Sequence, residues 1–201
     1  MLIKITREDA FNKYPNFPWC DPTDDNYFFP KVYKSYILTL VSKSAKGRAK
    51  ALSSAVTKLM RSLDFGSLIF VGDTKIPWLY QDNEYSPVKN ALNYLHDNKI
   101  GKKFNGALQV DISTLAEFIR HLFWLTRCNA SLPSFHFMDP GQNVIGSLCK
   151  YGNVHLSTLT KSIDKKLQRS VKQSDFEFLH DTACHEAFSK KRAIKHKEIV
   201  L

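Results

Sequence analysis

An α+β fold is the reading this sequence of 201 residues supports, and two patterns carry it. Residues 133–160 run as three short segments rich in β-branched and aromatic side chains, separated by turn residues, which is the mark of a meander. Residues 44–63 and 114–128 instead repeat their apolar side chains at helical spacing. Together these predict a mixed or antiparallel sheet with a three-stranded meander in its C-terminal half. The sheet is expected to pack against a central apolar helix (114–128) and a basic amphipathic helix (44–63), in one globular domain spanning 1–201.

Taken in order, residues 1–30 hold Pro15, Pro18, Pro22 and Pro30 beside Trp19, Tyr27, Phe28 and Phe29, and read as an irregular aromatic arm lying on the body. Asp21, Asp24 and Asp25 within it form an acidic turn, with no EF-hand Gly or terminal Glu in register. Residues 36–41 alternate around Ile37, Leu38 and Leu40 as a strand. In the helix that follows, Leu52, Val56, Leu59 and Leu63 fall on one side, while Lys46, Lys50, Lys58 and Arg61 fall opposite, at about 100° per residue. Residues 67–71 and 75–80 flank Gly72, Asp73 and Thr74 as a hairpin, with Pro77 setting its second strand at an edge or bulge. Ser86 as N-cap and Pro87 at the first helical position open a helix over 86–98. A basic loop of Lys99, Lys102 and Lys103 around Gly101 comes next, then a strand at 104–110.

Thr114 and Glu117 make a capping-box pattern at the head of the central helix. Leu115, Phe118, Ile119, Leu122, Phe123 and Leu125 render most of that helix's circumference apolar, which marks it as the middle of the core. The meander comprises strands at 134–138, 144–150 and 154–159, with turns at Asp139-Pro140-Gly141 and Tyr151-Gly152-Asn153. Helical, charge-rich sequence closes the chain at 161–173 and 175–193. Residues 190–201, with Lys190, Lys191, Arg192, Lys195 and Lys197, form a basic, flexible tail.

Charge gives the first functional indication. Lys and Arg number 29 against 19 acidic residues, a formal charge of +10, and residues 26–63 contain eight basic side chains and no acidic one. Such a balance favours polyanions, DNA or RNA above all, with an acidic protein as the alternative partner. Ser53, Ser54 and Thr57 lie among or beside the cations of the 44–63 helix, where hydroxyls add short hydrogen bonds to phosphate oxygens. The nucleic-acid-binding set expected from sequence is therefore Lys46, Lys50, Lys58, Arg61, Lys99, Lys102 and Lys103, extended by Arg120, Trp124 and Arg127. In that extension the Trp would stack a base while the arginines hold phosphates. The competing reading pairs Arg120 with Glu117 over a half-buried Trp. No helix-turn-helix, RNA-recognition or zinc-finger signature is present, so sequence-specific readout is not expected.

Catalytic signals are sparser. His136 and His155 both fall on expected strands and Lys150 ends the strand between them, the composition of a metal-independent nuclease. One imidazole would act as base, the other as acid, and the Lys would stabilise a dianionic phosphorane. His155-Leu156-Ser157 also resembles the His-x-Ser/Thr strand motif of the two-histidine phosphoesterases. The second copy, His180-Asp181-Thr182, falls in sequence that reads as helix, so no family is assigned. His180 and Cys184 share a helix face with His185 beside them, but no further ligand is near in sequence, and no metal is expected. Neither a Walker loop nor GxGxxG is present, and no cofactor is expected. Cys20, Cys128, Cys149 and Cys184 are widely spaced and without CxxC pairing, as reduced thiols would be. With no signal-like N-terminus and no apolar run of about 18 residues, a cytoplasmic protein without a membrane partner is the expectation. Two alternatives stand beside the nucleic-acid module: an immunity, inhibitor or assembly factor for an acidic partner, and a small nuclease.

Overall fold

The computed structural model describes residues 2–20, 27–42, 44–72, 76–79, 82–128, 135–179 and 184. In chain order the elements are β1 (Leu2–Ile5), α1 (Arg7–Lys13), β2 (Trp19–Cys20), β3 (Tyr27–Phe28), β4 (Lys34–Thr39), α2 (Ala45–Ser62), β5 (Ser67–Val71), α3 (Ser86–Asp97), β6 (Ala107–Asp111), α4 (Leu115–Cys128), β7 (His136–Met138), β8 (Val144–Leu148), β9 (Val154–Thr158), α5 (Lys161–Lys172) and β10 (Glu177–Phe178). This is an α+β fold. One eight-stranded sheet runs in the order β1-β6-β5-β7-β8-β9-β4-β10, and β2 pairs with β3 apart from it. Every pairing in the large sheet is antiparallel.

Alternation along the strands divides the core in two, because successive side chains leave a strand on opposite faces. Leu68 and Phe70 of β5, Leu108 and Val110 of β6, Phe137, Val144, Val154, Leu156 and Leu38 join the core shared with α2, α3 and α4. Phe118 of α4 meets Phe70 with ring centroids 4.7 Å apart. On the opposite face Ile69, Val71, Ala107, Met138 and Ile145 pack with Ala10, Tyr14 and Phe17 of α1 and the loop after it. Among the helices, α4 packs between α2 and α3, and α5 lies on the other flank of α2 and against β9 and β10. No helix of the described residues is long and apolar enough to cross a membrane.

Local chemistry explains the boundaries. Ser44 and Thr160 cap α2 and α5, their hydroxyls accepting from the amides of Gly47 and Ile163, so donors left over at each helix start are satisfied. The buried Asp139 carboxylate accepts from the amides of Gly141, Asn143 and Val144 and thereby shapes the β7–β8 turn. Gly146 is required on β8, since a Cβ there would lie 2.2 Å from the Phe137 ring.

Several sequence expectations need correction. Of residues 1–30, the described 2–13 are regular and not an arm: β1 edges the main sheet against β6, and α1 covers part of one face. The hairpin expected at 67–80 does not form, because β5 finds β6 and β7 as partners. Residues 76–79 carry no strand; Trp78 turns inward instead, bonding Phe104 O through its amide and Gly106 O through its indole N–H. The cap of α3 is Tyr85, with Ser86 already inside the helix. Past α5 the chain is not helical at 175–179, where β10 pairs with Thr39 and Leu38. The acidic turn at Asp21, Asp24 and Asp25 and the basic tail at 190–201 lie outside the described residues.

Arg48 is the largest correction to the charge reading, for it is fully buried. Its guanidinium donates to Leu40 O, Gly152 O, Thr39 Oγ1 and Asn153 Oδ1. Gly152 (φ +72°) can take that position because it has no Cβ: one would sit 2.6 Å from the Phe123 ring and 3.0 Å from Arg48 Nε. Replacing Arg48 by Leu strands these buried acceptors, each costing about 1–3 kcal/mol. Urea unfolding of Arg48→Leu is therefore expected to show a loss of about 3 kcal/mol or more. Lys50→Leu, on the exposed side of the same helix, should change stability by less than about 0.5 kcal/mol.

Candidate functional site

Three features collect the chemistry-bearing side chains: the outer sides of α2 and α5, a pocket on the sheet, and a thiol–imidazole cluster at the β8–β9 turn. On α2, Lys46, Lys50, Lys58 and Arg61 are exposed, while Leu52, Val56 and Leu59 on the other side are buried. On α5, Lys161, Lys165, Arg169 and Lys172 are exposed in the same way. The periodicity of α5 was available in the sequence, with cations at positions 161, 165 and 169, four apart. Lys166 is held back from that row by Asp64, 2.5 Å away, and by Leu63 O. Lys58 pairs with Asp175 at 3.2 Å. None of the other seven exposed cations on the two helices has an acidic partner among the described residues.

The remaining expected binding residues lie elsewhere. Lys99, Lys102 and Lys103 are exposed after α3, beyond α4, where Lys4 of β1 reaches the Lys99 carbonyl. They are therefore not brought beside α2. Arg120 is exposed on α4. Trp124 is half-buried, edge-on to Phe123 and Tyr85 at 5.2 and 6.0 Å between centroids. Arg127 sits over the Phe123 ring and donates to Lys150 O. The Trp and Arg127 thus serve packing between helices α3 and α4 and the β8–β9 turn.

The pocket, about 930 Å³, opens on the sheet where β7, β8, β9 and β4 run side by side. His155 lies opposite Ser147 on β8 and Ile37 on β4, and His136 lines the same space from β7. The two histidines that the sequence offered as candidates line one pocket, and the meander is what brings them there. Lys150 does not join them; its ammonium lies over Tyr151 outside the pocket. Lys34 and Lys172 line the pocket instead, with Phe29, Tyr36 and Phe178 as aromatic walls. Burial holds the His136 imidazole down to about 4. Burial, reinforced by the hydrogen bond to the Asp164 carboxylate, pushes the Tyr36 phenol up to about 12.

Beside the pocket, Cys149 follows β8 and sits diagonally across from His155, since Leu148 pairs with Val154. Cys184 Sγ lies 3.4 Å from Cys149 Sγ and accepts from Asn153 Nδ2 at 2.9 Å. Asn153 is itself fixed, its Oδ1 accepting from Thr39 and Arg48. Burial raises the Cys149 thiol, but hydrogen bonds from His155, the Asn153 amide, Cys184 and the Tyr151 backbone outweigh it and draw it down to about 7. Cys184 is pushed up to about 11, first by burial and then by its neighbour Cys149. The sequence sought partners for Cys184 within its own turn of helix; His180 and His185 lie outside the described residues, and the fold supplies groups 31 and 35 positions away. No short-range motif encodes that approach.

Compared with known proteins, the chain matches no family model, no curated protein and no solved structure.

His136 yields a prediction with a definite sign. Its folded pKa of about 4 lies below the unfolded value of 6.5, so the unfolded chain binds the proton first and stability falls as pH drops from 6.5 towards 4. The full loss is roughly 3 kcal/mol at about 1.4 kcal/mol per unit. Denaturation at pH 7 and pH 4.5 should show this slope, and His136→Asn should reduce it.

Proposed function

We propose that the chain is a nucleic-acid-binding module that holds its ligand by phosphate contacts along α2 and α5. The supporting observation is that these two neighbouring helices turn Lys46, Lys50, Lys58, Arg61, Lys161, Lys165, Arg169 and Lys172 outward, with Lys58 alone paired to a carboxylate among the described residues. Cations four positions apart rise about 6 Å along a helix, close to the step between phosphates of one strand. Few internal ion pairs have to break before these cations can meet phosphates. Each phosphate neutralised releases condensed counterions, which is where the affinity of such contacts originates.

Lys172 and Lys34 carry the positive row from α5 into the sheet pocket, whose Phe29, Tyr36 and Phe178 offer ring faces and edges. Stacking on aromatic side chains is how unpaired bases are held without sequence readout. The preferred ligand in this reading is single-stranded, with its backbone on the helices and an unpaired base in the pocket. His136 would then meet the ligand at the pocket floor.

Fluorescence anisotropy with labelled single-stranded and duplex DNA and RNA, across a range of salt, tests the reading. Neutralising Lys50, Lys58 and Arg61 together should flatten the slope of log affinity against log salt by about 2–3. Neutralising Lys161, Lys165 and Arg169 should do the same. Slopes unchanged in both triple variants would remove this face from consideration, and tighter binding of duplex than of single strands would exclude the pocket. The same samples, run on denaturing gels, report any cleavage; activity that survives His136→Ala and His155→Ala would exclude the histidine pair as its source.

A further inference from the structure

We propose that Cys149, Cys184 and His155 bind a zinc ion that fastens the segment after β10 to the β8–β9 hairpin. The three side chains come from the end of β8, from β9 and from a position five residues past Leu179, and their donor atoms all lie within 4.8 Å of one another. The two sulfurs are 3.4 Å apart. Zinc bonds thiolate sulfur at about 2.3 Å and imidazole nitrogen at about 2.0–2.1 Å. Tetrahedral angles then put two sulfurs about 3.8 Å apart and sulfur and nitrogen about 3.6 Å apart. The sulfurs need to part by about 0.4 Å, and the imidazole, whose donor atom lies within 4.8 Å of both, needs to close by about an ångström at most, to accept one ion. A disulfide, at about 2.05 Å between sulfurs, is not what the geometry describes, and both cysteines are free thiols.

Three further observations suit a metal. Nε2 of His155 is buried and has no hydrogen-bond partner among the described residues, the kind of orphaned polar atom that normally calls for an explanation. Asn153, fully buried, donates its amide N–H to Cys184 Sγ. Such outer groups hold thiolate ligands in place and disperse their charge. Asn153 in turn is oriented by Thr39 and by the buried Arg48, so the ligand set is tied to the hydrogen-bond network around that guanidinium. Two thiolates and an imidazole form a soft donor set that suits zinc and disfavours magnesium or calcium, which take oxygen ligands.

The consequence is a clasp across the sheet edge. Leu179 is bonded to Ile37 O on β4, and the ion would fix Cys184 to the end of β8 beside the pocket that His155 lines. A short edge strand of two residues, β10, would gain through the ion an anchor that its own hydrogen bonds cannot supply.

The test uses the full chain purified under reducing conditions. Elemental analysis should find about one zinc per chain. Replacing the zinc by cobalt should give thiolate-to-cobalt charge-transfer absorption together with the intense visible bands of a tetrahedral site. Cys149→Ser and Cys184→Ser, each checked for folding by circular dichroism, should lose the metal, and Cys128→Ser should retain it. Chelation of the wild-type protein should make β10 more open to hydrogen exchange while α4 stays protected. Absence of stoichiometric metal and of the cobalt spectrum in protein with titratable free thiols would overturn the proposal. So would a Cys149–Cys184 disulfide in place of metal, or metal retained in both serine variants. Should the serine variants fail to fold, the cobalt spectrum of the wild-type chain decides alone.

Discussion

A buried positive charge organises this molecule. Removing a guanidinium from water costs several kcal/mol even after relaxation, and Arg48 recovers that cost only where acceptors converge on it. Those acceptors belong to different parts of the chain: the end of β4, the β8–β9 turn, and Asn153 beside it. The first turns of α2, the end of β4 and the tip of the meander must therefore sit in one arrangement. Gly152, with its positive φ and its contact with Arg48 Nε, is part of the same constraint. A looser packing of α2 would leave charge and carbonyls unpaired together, so the penalty for misplacing the helix is steep.

That constraint determines the faces on which chemistry is available. With α2 fixed by its N-terminal end, its opposite side faces solvent along its length, while the buried Asp164 of α5 accepts from Tyr36 of β4 and Thr158 of β9 and so ties α5 to the sheet. Below the helices the sheet is shared unequally. Its β1-β6-β5 half meets α1 on the second face, whereas the β8-β9-β4 half carries Ser35, Ser147, His155 and Ser157 into the pocket. Polar strand positions thus appear where a helix does not cover the sheet, and small hydroxyl side chains there leave room for a ligand.

Periodicity made the long elements legible in the sequence. The 44–63 and 114–128 helices and the three meander strands were located because each repeats its apolar residues over a window long enough to settle the period. Residues 76–79 and 175–179 show the limit of that method. Trp78 looks like a strand residue but is drawn inward by hydrogen bonds to residues 104 and 106, and Phe178 of β10 packs against Tyr36 across the sheet edge. Tertiary partners decided both. Arg48 was counted among the surface cations because charge alone does not reveal burial, although its position four residues before Leu52 places it on the apolar stripe. Of the two sites, the placement of His136 and His155 on strands was readable in the sequence, and the strands that carry them flank β8. The approach of Cys184 to Cys149 was not, because 35 residues of intervening fold create it.

The order of strands in the sheet also dictates when the molecule can exist. β4 lies between β9 and β10, so Thr39 meets Asn153 across 114 positions of chain. During synthesis at roughly 5–20 residues per second, that separation amounts to roughly 6 to 23 seconds. For that interval Ile37, Leu38 and Leu40 leave the ribosome with no strand beside them. β1 waits likewise for β6. A nascent chain of this design spends most of its synthesis as an unclosed sheet with apolar strands exposed, dependent on whatever shields them until the meander emerges.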